Sequence, residues 1–354
     1  MNEKSPLVTL LVTTHNRPSY LKSCLDSISR QDNFVNVCQL IVVDSYSKSE
    51  MAKENERIVA NHLVNGSIEV LYLRNTVVGG LTQSRNIGVI AARGDFIVQV
   101  DDDSLVSSDY VKNAYHYLID GDVDLVVGKI TPKFEDEDEN CFELFEILKS
   151  EKYNGYIIED WSVMDLGDED ISIPWNMAFS TNCAYRKDFY LTSGGIGPDG
   201  FSSDYFYWNG SGEHNYTKSA RNIMYSSRMK SEHFIPKGRR TLEYLVGRSS
   251  FYGNGISFDQ VRAGIRPVFS LAFAKTTMKM LSHCFRQFFN GRWVGNNRSF
   301  AYMKGYISHQ FAANRCSVLR EYIRQDNWLN FEFNRIFPMG RKSRTQWENS
   351  VNSK

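Results

Sequence analysis

The chain has 354 residues, which is enough for one large domain or for two smaller ones with separate cores. Its 41 Lys and Arg residues balance its 41 Asp and Glu residues, so net charge gives no argument for nucleic-acid binding. The six cysteines form no Cys-x-x-Cys pair, which favours reduced core thiols over disulfides or a zinc site.

The first part of the chain alternates apolar strands with amphipathic helices. Continuous apolar and β-branched runs predict strands at residues 7–14, 39–44, 68–73, 96–101 and 123–130. Apolar residues at helical spacing predict helices at residues 19–30, 81–92 and 109–119. Strands that alternate with helices of this length predict βαβ units and an α/β fold with a mainly parallel sheet.

Polar side chains follow the predicted strands at the points where these strands end. They are His15 and Asn16, Asp44 and Ser45, Arg74 and Asn75, and the triplet Asp101-Asp102-Asp103. Because the carboxyl ends of parallel strands meet at one edge of a sheet, we expect these side chains to form one site.

The triplet Asp101-Asp102-Asp103 is the strongest chemical signal among these strand ends. Adjacent carboxylates raise one another's pKa values unless a counter-charge lies close by. Oxygen ligands suit Mg²⁺ or Mn²⁺, which proteins often hold through one or two carboxylates and substrate phosphates. Taken alone, the triplet is equally compatible with a solvated acidic turn.

A glycine pair, Gly79 and Gly80, precedes the predicted helix 81–92. Glycines permit close backbone approach, and the start of a helix can receive a phosphate group. Arg85 adds donors suited to phosphate or carboxylate. The pattern is neither G-x-G-x-x-G nor a P-loop, which disfavours a dinucleotide or Walker-type site.

Four segments taken together resemble the family 2 glycosyltransferases of the GT-A fold. They are TTHNRPSYLKSCLDSISRQ, LIVVDSYS, GLTQSRNIGVIAARGDFIVQVDDDSLV and WNMAFSTNCAYRK, and the similarity covers residues 7 to about 260. The resemblance implies a Rossmann-like, mainly parallel sheet flanked by helices. It also implies a nucleoside-diphosphate sugar donor, Mn²⁺ or Mg²⁺ held by a D-x-D motif, and inversion at the anomeric carbon.

The resemblance assigns metal and donor roles to particular residues. Asp101 and Asp103 match the ends of the D-x-D motif, and His233 matches a late histidine that serves the metal or the diphosphate. Without the resemblance, a lone histidine is more often a core or surface group. The implied donor-binding residues are Thr13, Thr14, His15, Asn16, Asp44, Ser45, Gly80, Arg85, Asp101 and Asp102. Ser45 stands where the family often has a second Asp, which leaves the identity of the nucleotide base open.

The resemblance also places the acceptor and the catalytic base. Trp175 and Asn182 would lie beside the acceptor, although core packing of Trp175 is an alternative. Gly212-Glu213-His214 stands where the family has a Gly-x-Glu-Asp-like motif that opens a helix and supplies the general base. We predict Glu213 as the base because a helix N-terminus favours a carboxylate over an imidazolium. His214 occupies the position of the family's Asp and is the alternative.

We predict three regions, which are a GT-A domain at 1–262, a helical region at 263–340 and a disordered tail at 341–354. The GT-A domain would comprise a nucleotide-sugar half at 1–130 and an acceptor half at 131–262. Within it, the acidic residues 134–152 predict an exposed excursion, and residues 195–216 predict an ordered loop that leads into a helix near His214.

Apolar residues recur at helical spacing at 268–288 and at 298–324, with basic residues nearby. These helices either pack on the catalytic domain or present a basic and aromatic surface to a bilayer. No basic and apolar leader and no run of about 18 apolar residues occurs, so we expect a cytoplasmic protein with possible peripheral contact with the inner membrane.

The expected function is inverting, metal-dependent transfer of a sugar to a hydroxyl of a glycan or lipid-linked acceptor, in surface polysaccharide or lipopolysaccharide synthesis. A sugar nucleotidyltransferase is an alternative, but it would have a Gly-rich basic loop after the first strand, which TTHNRP lacks. An inactive nucleotide-sugar-binding or scaffold protein is a second alternative, suggested by Ser45 and by Glu213-His214.

Overall fold

The computed structural model describes residues 6–32, 34, 36–62, 68–76, 80–136, 139–197, 207–210, 212–268, 270–290 and 293–329. The chain divides into two compact units. The first comprises Met1–Val77, Leu81–Ile196 and Glu213–Lys237, and the second Val78–Gly80, Gly197–Gly212 and Gly238–Lys354. The predicted tail at 341–354 lies outside the described residues.

The strands of the first unit are β1 Val8–Thr14, β2 Val37–Ser45, β3 Glu69–Asn75, β4 Phe96–Asp101, β5 Ser104–Val106, β6 Leu125–Phe134, β7 Ser150–Lys152, β8 Gly155–Ile158, β9 Val163–Asp165, β10 Ile171–Ser172, β11 Cys183–Arg186 and β12 Ile223–Ile235. The helices that accompany them are α1 Pro18–Ser29, α2 Ser49–Asn61, α3 Gly80–Ala91, α4 Tyr110–Ile119, α5 Glu139–Leu148, α6 Lys187–Thr192 and α7 His214–Thr217.

The strands form one sheet in the order β3-β2-β1-β4-β11-β6-β9-β8-β7, and β12 pairs with β6, β5 and β10. The pairs among β3, β2, β1 and β4 are parallel, whereas β11 runs antiparallel to both β4 and β6. All seven residues of β1 are buried, as expected for a central strand covered on both faces. The predicted α/β fold with a mainly parallel sheet is confirmed.

The acidic segment after β6 differs from the prediction, because part of it forms helix α5 and packs on the sheet. Its apolar residues Leu144, Phe145 and Leu148 lie against a buried cluster that includes Trp161. The spacing of these residues is helical, and the described carboxylates of α5, Glu143 and Glu146, are exposed. The acidic composition therefore marks the exposed face of an amphipathic helix and not an irregular excursion.

Among its described residues, the second unit has four α-helices, which are α8 Leu242–Arg262, α9 Leu271–Phe289, α10 Trp293–Arg315 and α11 Ser317–Ile323. The predicted C-terminal helices are confirmed, and the second is interrupted near Cys316. Helix α8 has no counterpart among the predicted elements, because its glycines weaken the apolar pattern. Among the described residues, no helix is both long enough and apolar enough to cross a bilayer.

Helices α8 and α10 approach each other at glycines. A Cβ on Gly253 would lie 1.9 Å from the Tyr302 carbonyl oxygen, and one on Gly305 would lie 2.0 Å from that of Ser250. At each of these two contacts the backbones can therefore approach so closely because one of the two facing residues is a glycine. Beside this contact, His309 is fully buried and its Nδ1 lies 2.6 Å from Ser257 Oγ.

Candidate active site

The carboxyl ends of β1, β2, β3 and β4 lie side by side, as predicted. Thr14 is in register with Asp44 of β2, and Thr13 with Asp101 of β4. Asp44 is in turn in register with Arg74 of β3. Polar residues that are far apart in the sequence therefore form one row at the edge of the sheet where such folds bind ligands.

Each carboxylate of the acidic triplet has an arginine partner. Arg17 Nη2 lies 3.0 Å from Asp102 Oδ1, and its Nη1 lies 2.6 Å from Asp103 Oδ2. Arg85 Nη2 lies 2.7 Å from Asp101 Oδ1. The counter-charge that adjacent carboxylates require therefore comes at least in part from the chain itself.

Asp102, in the middle of the triplet, is almost completely buried. Burial raises its pKa to about 7, against the opposing effect of the Arg17 guanidinium. Its Oδ2 accepts a hydrogen bond of 2.7 Å from Thr14 Oγ1. Arg17 is not among the predicted site residues; it immediately precedes Pro18, where α1 begins, and no local pattern distinguishes such a residue.

His233 lies beside the triplet because β12 pairs with β5, which places it opposite Ser104. Its Nδ1 is 2.7 Å from the Trp161 carbonyl oxygen, which can only accept, so we assign the proton to Nδ1. Its Nε2 lies 3.2 Å from Asp103 Oδ1. A neutral imidazole of this tautomer directs a lone pair towards the carboxylate, an arrangement that a cation beside both atoms would stabilise.

The described residues contain no group of three or more His, Cys, Asp or Glu side chains arranged to hold a metal ion. His233 and Asp103 nevertheless present two ligand atoms side by side. One imidazole and one carboxylate suit a Mg²⁺ or Mn²⁺ ion whose other ligands are phosphates and water. These two residues therefore fit such an ion. Asp101 is engaged by Arg85, and its role as a ligand stays a prediction.

A chain of hydrogen bonds runs from the triplet to Glu213 through a buried arginine. Arg85 Nη1 donates to Ser180 Oγ at 2.5 Å, and Ser180 Oγ donates to Glu213 Oε1. Burial opposes the charge of Arg85, but Asp101 and Glu213 outweigh it and raise the pKa of the guanidinium. Ser180 is a further residue absent from the predicted site, because nothing in the sequence links it to Arg85.

Glu213 and His214 face different partners. Glu213 bonds to Ser180, whereas the His214 ring packs edge-on against Trp175, with ring centroids 4.9 Å apart. Trp175 is 38 % exposed, and the Lys218 ammonium lies 4.7 Å from its ring centroid. Trp175 is therefore not simple core packing. Helix α7 has only four residues, so the helix-dipole argument for choosing Glu213 is weaker than predicted.

Asn182 immediately precedes β11, the antiparallel neighbour of β4, and supports the acidic triplet from there. Its side chain is fully buried; Oδ1 accepts from the Asp101 backbone N at 3.2 Å, and Nδ2 donates to Ser104 Oγ at 2.8 Å. Its φ of 52° lies in the left-handed region, which Asn tolerates better than most residues. This geometry gives no support to the predicted contact between Asn182 and an acceptor, and indicates instead that Asn182 holds the strand end in place.

Asp44 is also fully buried, and both of its oxygens are engaged within the chain. Oδ1 accepts from the Ser47 backbone N at 2.8 Å, and Oδ2 accepts from Asn55 Nδ2 at 2.8 Å and Tyr72 Oη at 2.9 Å. These bonds fix the turn after β2. A nucleoside that contacted Asp44 would therefore meet a carboxylate whose position is already set.

The turn after β1 is bonded to the turn after β2. His15 Nδ1 lies 2.6 Å from the Ser45 carbonyl oxygen, and Asn16, with a φ of 55°, accepts from the Lys48 backbone N at 2.8 Å. Ser45 is buried beneath this contact. Gly80 begins α3 with a φ of 63°, and Gly79, the other residue of the predicted pair, lies outside the described residues.

The family model described as "Glycosyl transferase family 2" matches residues 9–185 of this chain. Glycosyltransferase GlyG of Streptococcus pneumoniae is 28% identical over 138 residues, 39% of this chain and 43% of that protein. The putative glycosyltransferase EpsH of Bacillus subtilis is 30% identical over 135 residues, 38% of this chain and 36% of that protein. The chain thus matches less than half the length of these relatives.

Two further comparisons concern substrates and fold. The poly(ribitol-phosphate) beta-N-acetylglucosaminyltransferase TarS of Staphylococcus aureus is 25% identical over 122 residues, 34% of this chain and 20% of that protein. Among solved structures, the mannosyltransferase PcManGT of Pyrobaculum calidifontis, in complex with GDP-Man and Mn²⁺, gives a TM-score of 0.50 at 17% identity. That match covers 88% of this chain and 74% of the mannosyltransferase, and it shows a shared fold.

Proposed function

The chain belongs to the family 2 glycosyltransferases, and from this we propose that it transfers a sugar, with inversion, from a nucleoside-diphosphate sugar to a hydroxyl group. The observation that carries the proposal is the connected set of charges at the sheet edge. Arg17, the triplet and His233 lie at one end of this set, and Arg85 links them to Glu213.

The donor diphosphate would lie beside Arg17 and the D-x-D motif. The Arg17 side chain is one-third exposed although it pairs with two carboxylates, so it can exchange one of them for a phosphate oxygen. A planar guanidinium suits such an oxyanion. Arg85 is almost fully buried and would act on the donor indirectly, by fixing Asp101.

Asp103 and His233 would hold a divalent cation, with Asp101 as a proposed third ligand. When bound, Mn²⁺ or Mg²⁺ would neutralise charge that develops on the leaving diphosphate. The chain's own contribution is to hold the imidazole in one tautomer through Trp161 and to keep the carboxylate beside it.

Glu213 would accept the proton of the acceptor hydroxyl. The freed oxygen forms a bond to the anomeric carbon while the bond between that carbon and the diphosphate oxygen breaks on the opposite face. Ser180 orients the Glu213 carboxylate through its hydroxyl, and Arg85 in turn fixes that hydroxyl by donating to it. His214, which packs against Trp175, would instead help to position the acceptor.

We further propose that the acceptor is a surface glycan or a lipid-linked glycan. The acceptor in the name of the S. aureus relative, poly(ribitol-phosphate), is a polymer that contains phosphate, which supports a polymeric acceptor. The half-exposed indole of Trp175 offers an apolar face suited to a sugar ring, and Lys218 beside it would favour an acceptor that carries phosphate.

A thermal-shift panel of UDP-, GDP- and dTDP-sugars with and without Mn²⁺ tests the proposal, since a ligand that binds the folded state raises the apparent Tm. We expect one nucleotide to stabilise the protein in the presence of Mn²⁺ and its sugar donor to be slowly hydrolysed. Binding without hydrolysis or transfer would indicate a nucleotide-sugar-binding protein, and release of pyrophosphate from a nucleoside triphosphate would indicate a nucleotidyltransferase.

A further inference from the structure

Helix α9 exposes an unusual amount of apolar surface. Of its 19 residues, all described, Cys284 alone is buried. Leu271 and Met278 are each 70 % exposed, Phe288 63 % and Phe289 78 %. Large apolar side chains scattered singly over a surface are normal, but a contiguous set marks an interaction site.

The exposed apolar residues lie on one side of the helix. At about 100° per residue, they fall within a stripe roughly 100° wide along α9. Its members, the apolar stripe, are Leu271, Met278, Leu281, Phe285, Phe288 and Phe289. Phe273 projects from another side of the helix, where it stacks on Tyr306 of α10 with ring centroids 5.9 Å apart. The stripe therefore lies on a different side of α9 from the stack between Phe273 and Tyr306.

Three basic residues, Lys275, Lys279 and Arg286, flank one edge of the apolar stripe and are exposed. They belong to a longer bias in the sequence. Between Asp259 and Glu321 the chain has ten Lys and Arg residues and no acidic residue, although the whole chain is neutral. A surface of one sign next to an apolar stripe favours a partner that is anionic and apolar at once.

An apolar groove lies beside the stripe, between α9 and α10. It has a volume of about 270 Å³ and is lined by Leu281, Cys284, Phe285, Phe288, Asn296 and Phe300. Three of these residues belong to the stripe, so the groove continues the same apolar surface. Its lining suits a hydrocarbon chain better than a polar ligand.

We propose that α9 binds the surface of a membrane that contains anionic lipid. The helix lies in the interface, with the apolar stripe among the upper acyl chains and Lys275, Lys279 and Arg286 at the phosphate level. It does not cross the bilayer, in keeping with its charges and with the hydropathy of the described helices. This surface belongs to the second unit alone, and membrane binding through it does not depend on the proposed transfer reaction.

A second copy of the chain is a poorer occupant of this surface. A symmetric dimer buries the same patch on both subunits, so the basic residues of one α9 would come close to those of the other. Like charges brought together in this way oppose association, whereas lipid phosphates neutralise them.

Co-sedimentation with vesicles tests the proposal on the full chain. We expect binding to vesicles of phosphatidylcholine with phosphatidylglycerol, weaker binding to phosphatidylcholine alone, and loss of the difference at high salt. Neutralising Lys275, Lys279 and Arg286 to Gln together should lower the partition onto anionic vesicles roughly 100-fold. A triple variant should abolish binding to vesicles of both lipid compositions. It combines Phe285→Ser, Phe288→Ser and Phe289→Ser.

Matched variants on the first unit separate these effects from general changes of charge or hydropathy. The control for charge changes three exposed residues of the first unit, Arg30, Lys53 and Arg57, to Gln. The control for hydropathy is Phe142→Ser on α5, where Phe142 is 60 % exposed. Both controls should bind vesicles as the wild type does. All variants should keep the wild-type Tm. Failure of the wild type to bind anionic vesicles would overturn the proposal. So would a lipid-free dimer that the phenylalanine variant converts to a monomer, because it would assign α9 to a second copy.

Discussion

Arg85 and Asp101 form a partly buried ion pair in which Nη2 and Oδ1 are 2.7 Å apart. The same guanidinium donates to Ser180, which bonds to Glu213. One arginine on α3 thus joins the end of β4, where the acidic triplet begins, to the proposed base, although Asp101 and Glu213 are 112 positions apart in the chain. The Arg85 guanidinium thus contacts the proposed donor site directly and the proposed base through Ser180.

Removing that charge should destabilise the fold. Arg85→Met would leave the partly buried Asp101 carboxylate without its guanidinium partner, at a cost of at most about 3–5 kcal/mol, the range typical of a fully buried pair. The free energy of unfolding from urea denaturation measures the effect. Asp101→Asn in the Arg85→Met background should recover part of the loss, because the uncompensated carboxylate is gone. A single variant as stable as the wild type would show that the pair is not needed.

The assignment of the base predicts unequal effects of two neighbouring substitutions. Glu213→Gln should lower kcat by about 10²- to 10⁴-fold with little change in donor affinity, as is typical when a general base is lost. His214→Ala should mainly raise the KM for the acceptor, since its ring packs against Trp175. Steady-state kinetics with the donor identified by thermal shift would measure both, and the reverse ordering would assign the base to His214.

Metal dependence should reside in Asp103 and His233. Asp103→Asn and His233→Ala should each weaken nucleotide binding at least about tenfold in Mn²⁺ and have little effect in EDTA, because each removes a ligand. Asp168→Asn is a suitable control, since the Asp168 side chain is 96% exposed. Calorimetry of nucleotide binding would measure the constants. Wild-type binding that is indifferent to EDTA would contradict this assignment.

Stability in acid should depend on His309. Burial lowers the pKa of its imidazole from 6.5 to about 3. Below pH 6.5 the unfolded chain therefore binds a proton that the folded protein excludes, and stability falls as the pH decreases, by about 1.4 kcal/mol per pH unit from this group. His309→Gln should flatten this dependence. Urea denaturation of both proteins at pH 7.5 and pH 4.5 would test it, and equal pH dependence of the two would exclude His309 as the cause.

The sequence alone determined five of the strands, which are β1, β2, β3, β4 and β6, and the edge of the sheet at which their polar residues gather. Continuous apolar runs such as Val8–Thr14 show that a strand is covered on both faces, and helices between them require parallel neighbours. Parallel order then brings the polar residue after each strand, including Asp44 and Asp101, to one edge. These conclusions follow from local periodicity and chain direction, which are visible in any single sequence.

Only the tertiary structure decided which side chains meet at that edge. Arg17 and Ser180 were not predicted because their partners, Asp103 and Arg85, lie 86 and 95 residues away. Asn182 was expected beside an acceptor. It immediately precedes β11, which lies antiparallel between β4 and β6, and its side chain accepts a hydrogen bond from the Asp101 backbone. Hydropathy patterns report how deeply a residue is buried, but the partner of a buried polar group depends on strand order and register, which arise from packing across the whole sheet.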